Sequence, residues 1–423
     1  MTFEFDEKII QKRSGESKIF HLPPVKNFAA HFVRGFLSRL NPKVIKSTPE
    51  FLSQIKIITS TKRLAEQIER LLEEHGLIIL PRITDLGNLA RIFEEQEVTN
   101  FPVRRSDNTY DTIGDLDRFL LLTRFLNELK GEGFNELTKL TTFDLAISLN
   151  RLIEELNANN LNSNDLMRLA DEDLSEHLQL NLILLRKVLN RYEIFMSNEK
   201  LVDKQTKYFT EVKELINVWQ SSPEIKPIIL VGSTGSQLAT ATLMKAITSL
   251  PQGFIVLPGL DVHLTNRGWN SLTPDHPQYG FLSLCKTWKL KGVCRDKIIK
   301  APSWDDILCS EIEVDGVNTR GHLFSLLMRP GPVTDEWRTE GKSIVSKLNE
   351  AMKFVTLIEA DNSRQEVASI CVGIREAVGD GLSVALITPS KTLVRRVTAE
   401  LQRWNIVPYN SLGVNLGSTN FGV

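Results

Sequence analysis

The sequence predicts an α/β protein: parallel-sheet layers, a large all-helical insertion, and a second, truncated α/β block near the C-terminal end. Three stretches carry that expectation. Ile228 to Asp261 reads as strand, Gly-Ser-Thr turn, helix, turn, strand. Its short apolar runs suit strands buried on both faces, and a β-α-β unit makes a parallel layer the default. Residues 111–220 show helix-period stripes with almost no strand candidate. From Val355 the chain turns back to alternating strand and helix patterns.

Lys18 to Leu22 is expected to form a first strand after a polar start, closed by Pro23-Pro24. A helix follows from Asn27, with Phe28, Phe32, Phe36 and Leu40 on one face. Ile55 to Ile58 is the next strand, then Thr59-Ser60-Thr61-Lys62-Arg63 and a helix carrying Leu64, Ile68, Leu71 and Leu72. His75-Gly76 supplies its C-terminal cap, and Leu77 to Leu80 is expected to be a further buried strand.

In the insertion, the stripes are Leu116, Phe119, Leu120, Thr123, Leu126 and Leu129, and Leu145, Leu149, Leu152, Ile153 and Leu156. Thr141 or Thr142 is the expected cap of the second. A long helix spans Leu174 to Phe195, and a last one carries Tyr208, Val212, Leu215, Ile216 and Trp219. Residues 263–345 show little periodicity. Beyond them, Val355 to Ile358 and Ser383 to Ile387 read as buried strands. Ser363-Arg364-Gln365-Glu366 reads as a capping box before Val367, Ile370, Cys371, Ile374 and Val378. Leu393, Val397 and Leu401 mark the last helix. The expected divisions are 18–96 and 223–345 for the first α/β domain, 97–222 for the insertion, and 350–423 for the start of the second α/β domain.

Composition narrows the function classes. The 423 residues are 42% hydrophobic and 24% charged, with a net charge of −1, which excludes a uniformly basic nucleic-acid coat but allows a local basic groove. Apolar runs stop at about half a dozen residues, short of the roughly 18 that a membrane span needs. Cys285, Cys294, Cys309 and Cys371 show no CxxC spacing, so a zinc ribbon or redox pair is not indicated. The N-terminus lacks a secretory pattern, and a cytoplasmic setting is expected. Asp261, His263 and His276 match no metal-ligand spacing, so no metal site is expected.

An internal repeat stands out. Ile58-Thr59-Ser60-Thr61-Lys62-Arg63-Leu64 matches Ile387-Thr388-Pro389-Ser390-Lys391-Thr392-Leu393. The register continues through Ile68 with Val397, Leu72 with Leu401, and Leu77-Ile78 with Ile406-Val407. Convergence on a common strand-turn-helix recipe and duplication explain a single match almost equally well. Two similar α/β blocks with a helical insertion in the first nonetheless have the layout of a two-motor-domain helicase, in which a hydroxyl-rich turn before a helix often holds a DNA phosphate.

Motifs recurring in order add to this: Leu80-Pro81-Arg82-Ile83, Gly232-Ser233-Thr234-Gly235-Ser236, Leu250-Pro251-Gln252-Gly253, and Leu257-Pro258-Gly259-Leu260-Asp261. His276-Pro277-Gln278-Tyr279-Gly280, Met328-Arg329-Pro330, Thr334-Asp335-Glu336-Trp337-Arg338, and the segment from Ala385 to Trp404 continue the series. From about residue 18 to 408 the chain resembles the AddB subunit of the AddAB-type helicase-nucleases in its alphaproteobacterial form. The resemblance implies a helicase-like fold, an AddA-like partner subunit, and a role at broken DNA ends before recombinational repair.

The departures are equally specific. Such subunits are typically far longer and end in a nuclease domain with acidic metal ligands and an iron–sulfur cysteine set, none of which can be carried onto this chain. After the first strand stands His21-Leu22-Pro23-Pro24-Val25-Lys26-Asn27, without the glycines and Lys-Ser/Thr pair of a phosphate loop. The strand at 228–231 ends in Gly232-Ser233 where a motor places an Asp-Glu pair for Mg²⁺. No ATP, magnesium or iron–sulfur cofactor is therefore expected, and no catalytic residue is assigned. A catalytically silent scaffold is the leading expectation.

Ser60, Thr61, Lys62 and Arg63, then Lys391, are the candidate DNA contacts, against the plain alternative of an exposed first helical turn. A rival expectation makes Gly232, Ser233, Thr234, Gly235 and Ser236 a phosphate turn of a nucleotide-binding enzyme, with Asp261 holding a metal. The alternative for that turn is helix-on-sheet packing. A third reading is a degraded gene remnant. Trp219, Trp269, Trp288, Trp304, Trp337 and Trp404 are candidate base-stacking residues, with Trp404 also read as core.

Overall fold

The computed structural model describes residues 17–25, 27–40, 49–88, 110–130, 139–168, 176–221, 226–289, 293–305, 317–410 and 413. The chain divides into two compact units, Met1–Ala351 and Met352–Val423. The first is built on a parallel sheet: β1 (Ile19–Leu22), β2 (Lys56–Thr59), β3 (Arg82–Asp85), β6 (Ile228–Val231) and β7 (Gly253–Pro258), in the order β1-β7-β6-β2-β3. Ser303 adds a parallel bridge to His21 on the free side of β1.

The continuous apolar runs have a direct cause. Ile58, Ile228, Leu230, Ile255 and Leu257 enter a core on one face of the sheet, while Ile57, Ile229, Val231, Phe254 and Val256 enter a core on the other. Both faces are covered, so both side-chain sets are apolar. On one side lie α1 (Phe28–Arg39), α2 (Lys62–Glu74) and Trp304, whose ring stacks on Phe32 at 5.8 Å. Asn27 caps α1 by accepting from Ala30 N at 3.1 Å.

The insertion comprises α3 (Asp115–Lys130), α4 (Lys139–Ala158), α5 (Ser163–Arg168), α6 (Glu176–Asn198) and α7 (Lys204–Ser221). A two-stranded parallel ladder of β4 (Asp111–Thr112) with β5 (Leu201–Val202), which the sequence did not reveal, ties its ends together. Buried Arg118 bonds Asn150 at 2.6 Å and Asp203 at 2.8 Å and also reaches Glu154, joining three segments. Burial works against its charge, but the bond and attraction to Asp203, backed by Tyr192 and Glu154, outweigh it and raise the Arg118 pKa. Val212, Leu215 and Trp219 of α7 lie in the sheet's own core, so this last helix covers the α/β layer directly.

On that same face, α8 (Leu238–Ser249) and α10 (Tyr279–Thr287) pack together, with the short α9 (Asn266–Asn270) beside them. After α11 (Val293–Ile299) come α12 (Val317–Leu327), α13 (Glu336–Val345) and α14 (Leu348–Ala351). Arg329 anchors this part, bonding Ser325 at 2.9 Å, Glu340 at 2.9 Å and the His263 carbonyl at 3.0 Å.

Several expectations need correcting. The strand placed at Leu77 to Leu80 lies at Arg82–Asp85, because Arg82 N donates to Ile55 O at 2.9 Å and sets the register with β2. Ile78 is instead 98% exposed. Thr141 and Thr142 lie inside α4, which starts at Lys139, so neither caps it. Leu116 and Leu120 are exposed, because α3 turns Arg118, Leu121, Leu122 and Phe125 inward instead. The polar start and the beginning of the long helix at Leu174 lie outside the described residues.

In the second unit, the expected strands at Val355 to Ile358 and Ser383 to Ile387 join no ladder among the described residues. Leu357 is 83% and Ile387 94% exposed. A buried parallel strand requires neighbours for its N–H and C=O groups, and neither segment has them here. The expected second α/β layer therefore consists of α15 (Ser363–Gly379) and α16 (Lys391–Gln402), joined through Val367, Cys371, Val397 and Leu401. The cap of α15 is Asn362, one residue before the expected Ser363, and accepts from Arg364 N and Gln365 N. Val378, expected inside, is exposed.

Candidate functional site

All five strands run parallel, so their following turns gather along one edge of the sheet. β2 continues through α2 to β3 on one side, while β6 continues through α8 to β7 on the other. The boundary between β2 and β6 is therefore a topological switch point, where α/β sheets open a crevice at their C-terminal edge. Two independently expected turns, Ser60 to Arg63 and Gly232 to Ser236, flank it.

The turns touch. Ser60 N donates to Val231 O at 3.1 Å, and Thr59 Oγ1 donates to Thr61 O and to Thr84 O. Thr61 caps α2, its hydroxyl accepting from Leu64 N at 3.2 Å. Gly232 has φ +82°, and a Cβ there would stand 2.7 Å from Leu64 Cδ2 and 3.0 Å from Ser60 Oγ. Glycine is required both for this backbone conformation and for the close approach. Lys62 and Arg63 are exposed at the positive end of α2. Lys62 lies 3.8 Å from Glu66, a solvent-exposed pair that holds it only weakly.

The Gly232 to Ser236 turn is less open than a phosphate cradle. Gly235 packs against Leu284 and Met244, and Gly280 packs against Thr234, so α10 lies over part of the turn. Gly235 N donates to Ser233 Oγ at 3.2 Å, and Ser236 is exposed. This geometry gives the turn a packing role. Asp261 Oδ1 accepts from His263 N at 2.8 Å, shaping its own loop, and the described residues contain no group of three His, Cys, Asp or Glu placed to hold a metal ion. Lys391 belongs to the second unit.

Tyr208, read from the sequence only as part of a stripe, reaches this region. Burial pushes its phenol pKa up, against a hydrogen bond with Thr240 that lowers it, and the charges of Glu211 and Asp85 add to the rise. Of the tryptophans, Trp219, Trp269, Trp288 and Trp304 are buried and closed to base stacking. Trp337 is half exposed, with Nε1 donating to Leu326 O at 2.7 Å, and Trp404 packs on the second unit's core beneath Arg375.

The repeat is visible at both ends of its two helices. Ser390 caps α16 by accepting from Leu393 N at 3.2 Å, as Thr61 does from Leu64. At the far ends Gly76 and Asn405 both take positive φ, 81° and 58°. Leu77 N bonds Leu72 O and Ile406 N bonds Leu401 O, the same C-terminal closure in both blocks.

The recurring motifs also meet one another. Gln278 accepts from Asp261 N at 2.9 Å and donates to Gly259 O at 3.0 Å, locking the Pro258-Gly259-Leu260-Asp261 turn. His276 Nδ1 accepts from Gln278 N, which leaves Nε2 to donate to Met328 O at 2.9 Å. Arg267 and Asp335 pair at 2.9 Å, raising the guanidinium pKa and lowering that of the carboxyl. Comparison with family models and with curated proteins returns no match for this chain.

Proposed function

We propose that the chain is a catalytically silent, helicase-fold scaffold of the AddB type, contacting DNA ends and an AddA-like helicase partner during double-strand break processing for recombinational repair. The observation that carries this reading is the contact of two turns at the switch point. There a hydroxyl-rich turn with two exposed cations, Lys62 and Arg63, opens α2 beside the turn after β6. Exposed N-terminal amides, hydroxyls and cations together suit a DNA phosphate, which fixes position without reading sequence.

A matching turn at Thr388-Pro389-Ser390-Lys391 in the second unit, with the same kind of cap on the helix after it, supports a pair of related turn-helix segments. A role without ATP turnover is supported by the turn after β1. Pro23 and Pro24 lack backbone N–H donors, and the turn from His21 to Asn27 contains no glycine. The reading assigns no magnesium or iron–sulfur chemistry to these residues.

The test is binding of the purified chain to duplex DNA with a single-stranded end, measured by anisotropy across a salt series. The expected result is sub-micromolar affinity falling steeply with salt. Replacing Lys62 and Arg63 by Ala should reduce the slope of log K against log salt by about two units. A folded chain that does not bind DNA would overturn the contact, and ATP turnover by this chain alone would overturn the silent-scaffold part. An unfolded product would favour a gene remnant.

A further inference from the structure

Helix α12 is apolar on two sides. Leu323 and Leu326 enter a small core with Ile344 and Ala351. Phe324, Leu327 and Met328, at the spacing of a second helical stripe, stay exposed instead. Trp337 of α13 adjoins this end of α12, because its Nε1 donates to Leu326 O at 2.7 Å. Val345 lies further along α13 and is exposed as well. These five side chains are each 46–70% exposed, whereas a surface helix needs a single apolar stripe.

Gly341 stands between Trp337 and Val345. A side chain there would lean over the preceding turn, towards Trp337. An added Cβ would meet Leu326 Cδ2 at 3.9 Å, so the glycine leaves a groove between α12 and α13 with Leu326 at its floor.

The free charges beside this groove have one sign. α12 holds no acidic residue. Asp335, before α13, pairs with Arg267, and Glu336 and Glu340 within α13 both pair with buried Arg329. Arg338 and Lys342, one turn apart on α13, are exposed and have no ion-pair partner among the described residues. Helical spacing puts both on the outward side of Gly341.

We infer that the α12–α13 groove docks an amphipathic helix of a partner protein, apolar on one face and flanked by Asp or Glu. The apolar anchors pack on Phe324, Leu327, Met328 and Trp337, and the acidic flank meets Arg338 and Lys342. A nucleic acid suits the groove less well. Leu327, Met328 and Val345 give its bases no ring to stack on, and two cations hold few phosphates. The surface uses none of the residues at the sheet edge, so it stands whether or not Lys62 and Arg63 hold DNA.

The test is anisotropy titration of the full chain with a fluorescein-labelled synthetic helix, leucine and phenylalanine on one face and glutamate on the other. A scrambled peptide of the same composition, a version with lysine for glutamate, and an oligothymidylate serve for comparison. The expected result is saturable binding of the acidic helix, weakened by salt, with the other three ligands at least about tenfold weaker. Leu327→Glu should weaken binding about tenfold without unfolding the chain, because its side chain is already exposed. Reversing both cations, Arg338→Glu with Lys342→Glu, should transfer the preference to the lysine version. The inference is overturned if the folded chain shows no saturable binding of the acidic helix, or binds any comparison ligand as tightly. Wild-type affinity in Leu327→Glu, or an unchanged preference after the charge reversal, also overturns it. The Lys62→Ala, Arg63→Ala chain should bind the acidic helix as the wild type does, so failure of the DNA contact is read separately.

Discussion

Replacing Gly232 by Ala tests the contact between the two turns at the switch point. Gly76 provides an internal reference. Its φ is +81° against +82° for Gly232, but a Cβ at Gly76 meets nothing within 4 Å. A left-handed backbone costs an L-residue about 1–2 kcal/mol, and the stiffer unfolded chain returns about 0.4–1 kcal/mol. Gly76→Ala should therefore destabilise by about 1 kcal/mol. Gly232→Ala carries the same backbone term and also sets a methyl 2.7 Å from Leu64 Cδ2 and 3.0 Å from Ser60 Oγ. Both crowded atoms end partly buried side chains that can shift, so overpacking adds about 1 kcal/mol, for a total of about 2 kcal/mol.

Equilibrium urea unfolding reports the difference through the buried Trp219, Trp269 and Trp304. A cycle with Leu64→Ala should recover about 1 kcal/mol of coupling, because it removes the crowded atom. Equal costs for the two glycine variants, or a coupling near zero, would refute the close approach of the turns.

Other perturbations probe the core and the second unit. Burial lowers the His21 pKa below its ordinary value, despite hydrogen bonds with Ala301 and Pro302 that raise it. The folded state then binds fewer protons than the unfolded one below about pH 6.5. Stability should be full above that pH and fall as pH drops towards the folded pKa. His21→Gln should flatten this part of the stability–pH curve, and an unchanged curve would show that His21 does not contribute. Ile387→Lys should change the stability of the second unit by no more than about 0.5 kcal/mol, given its 94% exposure. A loss of several kcal/mol on denaturant unfolding would restore Ile387 to a buried strand.

Much of the first unit was legible because its signals are local. The runs at 19–22, 228–231 and 254–257 are apolar at nearly every position, as strands covered on both faces must be. Asn27, Thr61 and Gly76 mark helix ends through bonds within a few residues of themselves. β3 was harder to read. It is an edge strand whose alternation of exposed Arg82 and buried Ile83 carries little signal, whereas the more apolar Leu77-Ile78-Ile79-Leu80 is a connecting segment.

The candidate residues at the sheet edge were identifiable one turn at a time. Local chemistry marked Ser60 to Arg63 and Gly232 to Ser236, but the sequence could not show that they touch at the switch point. That depends on β6 returning beside β2 across an insertion of more than a hundred residues, a pairing with no local imprint. The sequence by itself determined β1, β2, β6 and β7 and the turn-helix recipe that recurs in the two units, because backbone sterics and side-chain period act within a few residues. Only the tertiary structure decided which turns meet, which apolar segments stay exposed and which polar atoms lack a partner, because burial depends on neighbours distant in the chain.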